Sequence, residues 1–161
     1  MGLSAFLDAN TERRELLLGQ RPPRFDSSFD EAIALTGDDF ERVALKAESA
    51  RDYFLLVGPP GTGKTSRALR RMVEHFYAAS SMQILLLAYT NRAVDEICQS
   101  LSSITPCIDY IRVGSELSCD VRFRGHLLEN ILAECNSRRE VNIRMADCSC
   151  LLYTSPSPRD G

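Results

Sequence analysis

The chain has 161 residues, of which 44% are hydrophobic and 25% charged, and its formal net charge is -3. This length and composition predict a globular protein with a hydrophobic core. They exclude an overall basic surface, so any contact with nucleic acid must come from local groups. No apolar run approaches the roughly 20 residues that a membrane-spanning helix needs, and residues 1–10 lack the pattern of a secretory signal. We therefore expect a cytoplasmic protein with no membrane partner.

The first part of the chain, residues 1–36, is predicted to be an accessory segment. Leucines among charged residues over Ser4–Leu18 predict a helix, and Arg21–Phe29 is expected to be an extended connector. The second predicted domain, residues 37–149, opens with a helix over about 38–50, whose two leading aspartates favour the positive end of the helix dipole.

The most informative stretch of the sequence is Tyr53–Thr65. Five consecutive apolar residues, Tyr-Phe-Leu-Leu-Val, predict a strand that is buried on both faces, and Gly-Pro-Pro-Gly-Thr-Gly-Lys-Thr follows directly. The pattern G-x-x-x-x-G-K-T, placed between a strand and a helix, is that of a phosphate-binding loop. Its glycines allow the backbone to wrap closely around an anion.

The chemistry of this loop predicts a site for a nucleoside triphosphate with Mg²⁺. Successive backbone N–H groups at a helix N-terminus cradle the phosphates. Lys64 is placed to neutralise the β- and γ-phosphates, and the Thr65 hydroxyl to coordinate the metal, so these two residues are the expected catalytic groups. The predicted nucleotide-binding residues are Gly58, Pro59, Pro60, Gly61, Thr62, Gly63, Lys64, Thr65 and Ser66.

Helices and strands alternate after the loop, which implies an α/β fold with a parallel sheet and flanking helices. The stretch Val141–Cys148 could begin a further strand. The predicted elements are a helix over Thr65–Ser80, a buried strand over Gln83–Ala88, a helix over Asn91–Leu101, a strand over Ile108–Val113 and a helix over Gly125–Arg139.

The residues around the second predicted strand make the pattern more specific. Leu87-Ala88-Tyr89-Thr90-Asn91-Arg92-Ala93-Val94-Asp95 resembles motif Ia of superfamily 1 helicases of the nonsense-mediated-decay and Okazaki-fragment type, and Gly-Pro-Pro-Gly-Thr-Gly-Lys-Thr is similar to their motif I. The resemblance covers most of residues 5–149. It implies an incomplete RecA-like P-loop NTPase domain, the N-terminal fragment of an ATP-dependent helicase. In the parent protein, ATP hydrolysis would drive movement along single-stranded DNA or RNA.

The resemblance also implies a nucleic-acid contact at Tyr89, Thr90 and Asn91. A strand that ends in Tyr-Thr-Asn opens a helix whose free N–H groups can hold a phosphate of the nucleic-acid backbone. Thr90 and Asn91 would cap that helix, and Tyr89 could stack on a base. The alternative is a simple helix cap with a tyrosine packed at the end of the strand.

Two departures from the family limit what the chain is expected to do. Glu41 stands where family members often carry a glutamine that recognises adenine, and a carboxylate accepts hydrogen bonds but cannot donate them. Selectivity for ATP over GTP is therefore in question. The family's acidic motif II and second RecA-like domain are absent from the chain, so we expect the chain alone to be inactive in hydrolysis.

The C-terminal residues 150–161 are predicted to be a disordered tail that lies outside the natural protein. Cys-Leu-Leu-Tyr-Thr-Ser-Pro-Ser-Pro-Arg-Asp, residues 150–160, resembles one reading frame of a sequencing-library adaptor. The alternative is a natural tail rich in serine and proline.

Two other functions remain open at this stage. The motif I sequence also occurs in AAA+ remodelling ATPases, and the chain itself could be a non-catalytic nucleotide-binding module.

The six cysteines have neither C-x-x-C spacing nor a histidine cluster, which favours reduced thiols over a metal site.

Overall fold

A computed structural model describes residues 10–79, 83–105, 107–135, 137–148 and 150–154. The chain divides into two compact units, residues 1–57 and 58–161. No helix among the described residues is long and apolar enough to cross a membrane.

The described part of the first unit contains three short helices, α1 (Thr11–Leu17), α2 (Asp30–Leu35) and α3 (Asp39–Ser49). The predicted helix before residue 19 is present from Thr11, and residues 1–9 lie outside the described range. Asp38 caps α3 by accepting a hydrogen bond from the Phe40 N–H. The helix α2 was not predicted from the sequence.

Asp52, near the end of the first unit, is hydrogen-bonded to the connector segment that begins at Arg21. Its carboxylate accepts hydrogen bonds from the Arg21 side chain at 3.0 Å and from the Arg24 side chain at 2.9 Å, and its side chain is only 8% exposed. It also accepts a hydrogen bond from the Arg24 backbone N–H at 2.8 Å. These bonds hold the pKa of the Asp52 carboxyl well below its usual range.

This pKa shift predicts a pH dependence of stability. Because the folded-state pKa lies below the unfolded value of about 3.9, the stabilising contribution of Asp52 is present above that value and is lost as pH falls toward the folded pKa. Wild-type protein should therefore lose stability between about pH 4 and pH 2 more steeply than Asp52→Asn. Urea unfolding at several pH values measures this. Asp39→Asn, at an exposed aspartate of α3, is the matched control, and equal pH slopes for wild type and Asp52→Asn would overturn the prediction.

The prediction of a strand at residues 53–57 is wrong. The segment has no regular secondary structure, and Leu55 and Val57 are 74% and 92% exposed. A strand is stable only when its backbone groups pair with a neighbour. No strand within the described part of the chain pairs with this segment.

The second unit is built on a three-stranded parallel sheet formed by β1 (Ile84–Ala88), β2 (Tyr110–Val113) and β3 (Cys150–Thr154), in the order β1-β3-β2. Leu152 of β3 lies opposite Leu86 on one side and Arg112 on the other. The parallel sheet and its flanking helices confirm the predicted α/β class, and three strands agree with an incomplete P-loop NTPase fold.

The central position of β3 corrects the predicted disordered tail for Cys150–Thr154. Cys150 and Leu152 are fully buried, because this segment pairs along both of its edges and packs one face into the core. Residues 155–161 lie outside the described range. The adaptor origin of the segment stays a prediction.

Four helical segments flank the sheet. A π-helical turn (Lys64–Leu69) continues into α4 (Arg70–Ala79), and α5 (Asn91–Leu101) follows β1 as predicted. The helix predicted over Gly125–Arg139 is instead two, α6 (Leu128–Glu134) and α7 (Arg138–Asp147).

The start of α7 explains why the prediction beyond Val141 was wrong. Ser137 accepts a hydrogen bond from the Glu140 N–H, and the Glu140 side chain accepts one from the Ser137 N–H. This capping box satisfies two backbone donors at once and starts a new helix. The stretch that could have begun a strand is therefore helical.

The core of the second unit lies between α5 and the sheet. One face of α5 is buried against Leu86 of β1 and Leu152 of β3, and Phe123 and Leu127 close the same cluster. Leu85 and Leu87 on the other face of β1 are 57% and 60% exposed, so the predicted buried strand is buried on one face only. The buried residues of α5 in the cluster are Val94, Ile97, Cys98 and Leu101.

The cysteines are free thiols, as the sequence indicated. Burial raises the pKa of Cys98 to about 11 and that of Cys150 to about 12, so both stay protonated at neutral pH. No group of three metal-ligating side chains occurs among the residues that the structure describes.

Candidate nucleotide-binding site

The loop before α4 has the backbone shape that its sequence predicts. Gly61 and Gly63 have φ angles of 80° and 81°, in the left-handed region where glycine is favoured. Gly63 is the last residue before the π-helical turn, and its carbonyl accepts hydrogen bonds from the N–H groups of Arg67 and Ala68 at 2.9 and 3.0 Å. The loop therefore ends at a helix N-terminus, where backbone N–H groups lack partners within the helix.

Lys64 lies against the loop that precedes it. Its Nζ donates a hydrogen bond to the carbonyl of Gly58 and one of 2.6 Å to the carbonyl of Pro59. A Cβ at Gly58 would lie 3.2 Å from the Thr62 hydroxyl oxygen and 3.7 Å from the Lys64 side chain. Glycine at position 58 thus allows the loop to close around the ammonium group.

The loop opens on a cavity of about 930 Å³, which lies in the upper part of the usual range for small-molecule sites. One wall is formed by residues 60–67, and a second, the α5 wall, by α5 together with Asp120 and Arg122. Of the predicted nucleotide-binding residues, Pro60 to Ser66 line the cavity. Gly58 and Pro59 do not line the cavity, but their carbonyls accept hydrogen bonds from the Lys64 side chain.

The α5 wall was not predicted from the sequence. Five polar residues of α5 line the cavity, namely Ser100 and four others whose spacing of i, i+3, i+4 and i+7 places them on one face of the helix. That spacing was visible in the sequence, opposite the apolar face that forms the core. The four residues are Arg92, Asp95, Glu96 and Gln99.

Asp95 connects this wall to the interior of the sheet. The guanidinium of Arg112, on β2, donates a hydrogen bond to the Asp95 carboxylate, and a second donor of Arg112 reaches the Ser118 carbonyl at 3.4 Å. The Arg112 side chain is fully buried, and its Nε has no partner among the described residues. A buried arginine needs such a counter-charge, because an isolated charge is costly in a low-dielectric interior.

The predicted nucleic-acid residues lie at the N-terminus of α5, outside the lining of the cavity. The Thr90 hydroxyl oxygen accepts a hydrogen bond from the Ala93 N–H at 3.2 Å, so Thr90 is the helix cap. Tyr89 is 63% exposed and Asn91 is partly buried. One helix therefore carries both the candidate nucleic-acid residues and a wall of the cavity.

The donor set of the cavity fits a triphosphate with a divalent cation. The loop supplies backbone N–H groups, Lys64 supplies an ammonium and Thr65 a hydroxyl oxygen, all on the same wall. Glu41 lies on α3 in the first unit, and its role in adenine selectivity stays a prediction.

Comparison with known proteins places this site in a family. A family described as "AAA domain" matches residues 35–148. The chain is 33% identical over 124 residues to the DNA replication ATP-dependent helicase/nuclease JHS1 of Arabidopsis thaliana. The aligned region covers 71% of this chain and 9% of that protein.

Two further relatives show the same relationship. The putative ATP-dependent RNA helicase ECM32 of Saccharomyces cerevisiae is 32% identical over 108 residues, covering 63% of this chain and 9% of that protein. The DNA replication ATP-dependent helicase/nuclease DNA2 of Homo sapiens is 31% identical over 113 residues, which are 63% of this chain and 10% of that protein. The chain thus spans about a tenth of the length of the curated relatives it matches. Because the family match covers most of the chain, the chain belongs to the AAA domain family, with superfamily 1 helicases as its relatives there.

Proposed function

We propose that this chain binds ATP with Mg²⁺ and is part of an ATPase that moves along single-stranded nucleic acid. The observation that carries the proposal is the phosphate-binding loop, which opens at a helix N-terminus onto a cavity of about 930 Å³. The names of the relatives, all ATP-dependent helicases, support it further.

The chain's own residues would act by binding and orienting the phosphates. Lys64 would exchange its two carbonyl partners for β- and γ-phosphate oxygens, and the N–H groups at the start of the π-helical turn would hold the remaining oxygens. The Thr65 hydroxyl would be a ligand of Mg²⁺, which supplies positive charge that neutralises the phosphates.

One observation favours a non-catalytic role for this chain by itself. The described strands β1, β2 and β3 end at Ala88, Val113 and Thr154, so none of them ends in the carboxylate that phosphoryl transfer needs for its metal. We therefore propose that the chain binds nucleotide, and that hydrolysis requires parts of the full-length protein beyond it.

The nucleic-acid contact is proposed for Tyr89, Thr90 and Asn91. The helix end supplies backbone N–H groups for a phosphate, and the exposed ring of Tyr89 can stack on a base. DNA and RNA both present the phosphates and bases that such a contact would use.

ATP hydrolysis by the full-length protein, with and without a single-stranded oligonucleotide, tests this proposal. We expect stimulation by single strands. Tyr89→Ala should raise the oligonucleotide concentration for half-maximal stimulation about tenfold, because stacking on one base contributes about 1–3 kcal/mol. The matched control is Tyr77→Ala, at a partly exposed tyrosine of α4. A complete lack of stimulation by DNA and by RNA would contradict the proposal and favour a remodelling ATPase.

A further inference from the structure

The α5 wall of the cavity carries an arginine, Arg122, whose guanidinium is held by several hydrogen bonds. Arg122 is in a short 3-10 helical turn (Val121–His126) that follows β2. Its Nε and one terminal nitrogen donate to the two carboxylate oxygens of Asp120 at 3.1 and 2.9 Å. The other terminal nitrogen donates to the Gln99 side-chain oxygen at 2.7 Å.

The surroundings of Arg122 fix its guanidinium still further. The guanidinium carbon lies 5.1 Å from the centre of the ring of Phe123, which is buried in the core. Asp120 caps the turn by accepting a hydrogen bond from the Arg122 N–H, and its bonds to Arg122 lower the pKa of its carboxyl to about 2. Asp120 therefore stays ionised at neutral pH and keeps the arginine in place.

Arg122 keeps donors that a ligand can use. A guanidinium has five N–H groups, and the hydrogen bonds of Arg122 to described residues use three of them. The planar arrangement of these donors suits the oxygens of a phosphate, and an arginine that is already oriented loses little entropy on binding.

The charges of this wall make the arginine necessary for an anionic ligand. Asp95, Glu96 and Asp120 all line the cavity on the α5 wall, whereas the cations of this wall are Arg92 of α5 and Arg122 of the 3-10 turn. Asp95 is paired with the buried Arg112. Without Arg122, the α5 wall would present a surplus of carboxylates to a triphosphate.

We propose that Arg122, on the α5 wall, is a second cationic contact for the phosphates of the nucleotide bound in the cavity that Lys64 also lines. This inference rests on the proposed function, because it assumes that the cavity binds a nucleotide. Asp120 and Gln99 are its positioning residues. The alternative is that Arg122 only stabilises the 3-10 turn through its bond to Asp120.

The test is the affinity of the 161-residue chain for ATP, measured by isothermal titration, together with competition by inorganic triphosphate. Arg122→Ala is expected to weaken the binding of both ATP and triphosphate about tenfold, because the loss of one charged hydrogen bond lowers affinity by about tenfold or more. Arg124→Ala is the matched control, because Arg124 is in the same turn but pairs with Glu116 and does not line the cavity. It should stay within about twofold of wild type.

Two further variants keep the outcome clear. Arg122→Gln keeps a polar side chain whose amide can donate to a neighbouring acceptor without the charge, and it decides the question if Arg122→Ala does not fold. An affinity of Arg122→Gln within twofold of wild type would overturn the inference. Lys64→Ala separates this inference from the proposed function. If Lys64→Ala loses ATP binding while Arg122→Gln does not, only the role of Arg122 is wrong.

Discussion

Replacing Asp95 by alanine is expected to lower the free energy of unfolding of the second unit by about 3 kcal/mol. The reason is the position of its partner, because the side chain of Arg112 is fully buried on β2 and would lose its counter-charge. Breaking a buried ion pair by removing one partner is far more costly than losing a surface pair. Urea unfolding monitored by circular dichroism measures the change.

Two variants show whether the charge is the cause. Glu96→Ala removes an adjacent carboxylate that is 59% exposed and 3.7 Å from Arg92, so it should change stability by less than about 0.5 kcal/mol. The double variant Asp95→Ala with Arg112→Met removes both charges, and it should recover much of the loss. If Asp95→Ala unfolds at the same urea concentration as Glu96→Ala, the buried pair does not stabilise this unit.

The features that the sequence predicts well are those fixed by neighbouring residues. Glycines at 61 and 63 produce the left-handed turns of the loop, and Thr90 caps α5 through a bond to a residue three positions later. The bounds of α5 and the strand β1 follow in the same way from local patterns of apolar residues. The backbone turns of the loop at Gly61 and Gly63 were therefore predictable from the sequence.

The features that were missed depend on distant parts of the chain. The apolar run at residues 53–57 has the composition of a buried strand, but composition does not supply a hydrogen-bonded neighbour. The segment Cys150–Thr154 becomes the middle strand because β1 and β2 each offer it an edge. The pairing of Arg112 with Asp95 joins β2 to α5, and no local pattern indicates it. The break before α7 is different, since Ser137 and Glu140 already carry the capping-box spacing.

Replacing Lys64 by alanine is expected to weaken ATP binding by about a hundredfold, which corresponds to the loss of two charged hydrogen bonds at about 1.5 kcal/mol each. The ammonium is the only lysine group in the lining of the cavity, and the loop around it is closed by contacts to Gly58 and Pro59. Removing it takes away the ammonium that would contact the β- and γ-phosphates, and the backbone N–H groups, the hydroxyls and Arg67 of that wall remain. The fold should persist, because the glycine turns and the π-helical turn do not depend on the ammonium.

The chain offers a matched control for this variant. Its other lysine, Lys46, is exposed on α3 in the first unit. Lys46→Ala removes the same charge from the protein as a whole, so it should bind ATP as wild type does. Any effect of net charge alone would appear equally in both variants.

The most direct test of the nucleotide site is isothermal titration of the 161-residue chain with ATP and Mg²⁺, combined with a phosphate-release assay on the same samples. We predict binding by wild type and by Lys46→Ala, a loss of about a hundredfold in affinity for Lys64→Ala, and no phosphate release by any of them. Equal ATP affinity of wild type and Lys64→Ala, or no binding by wild type, would contradict the assignment of the site. Turnover by wild type that Lys64→Ala abolishes would contradict the prediction that this chain binds nucleotide without hydrolysing it.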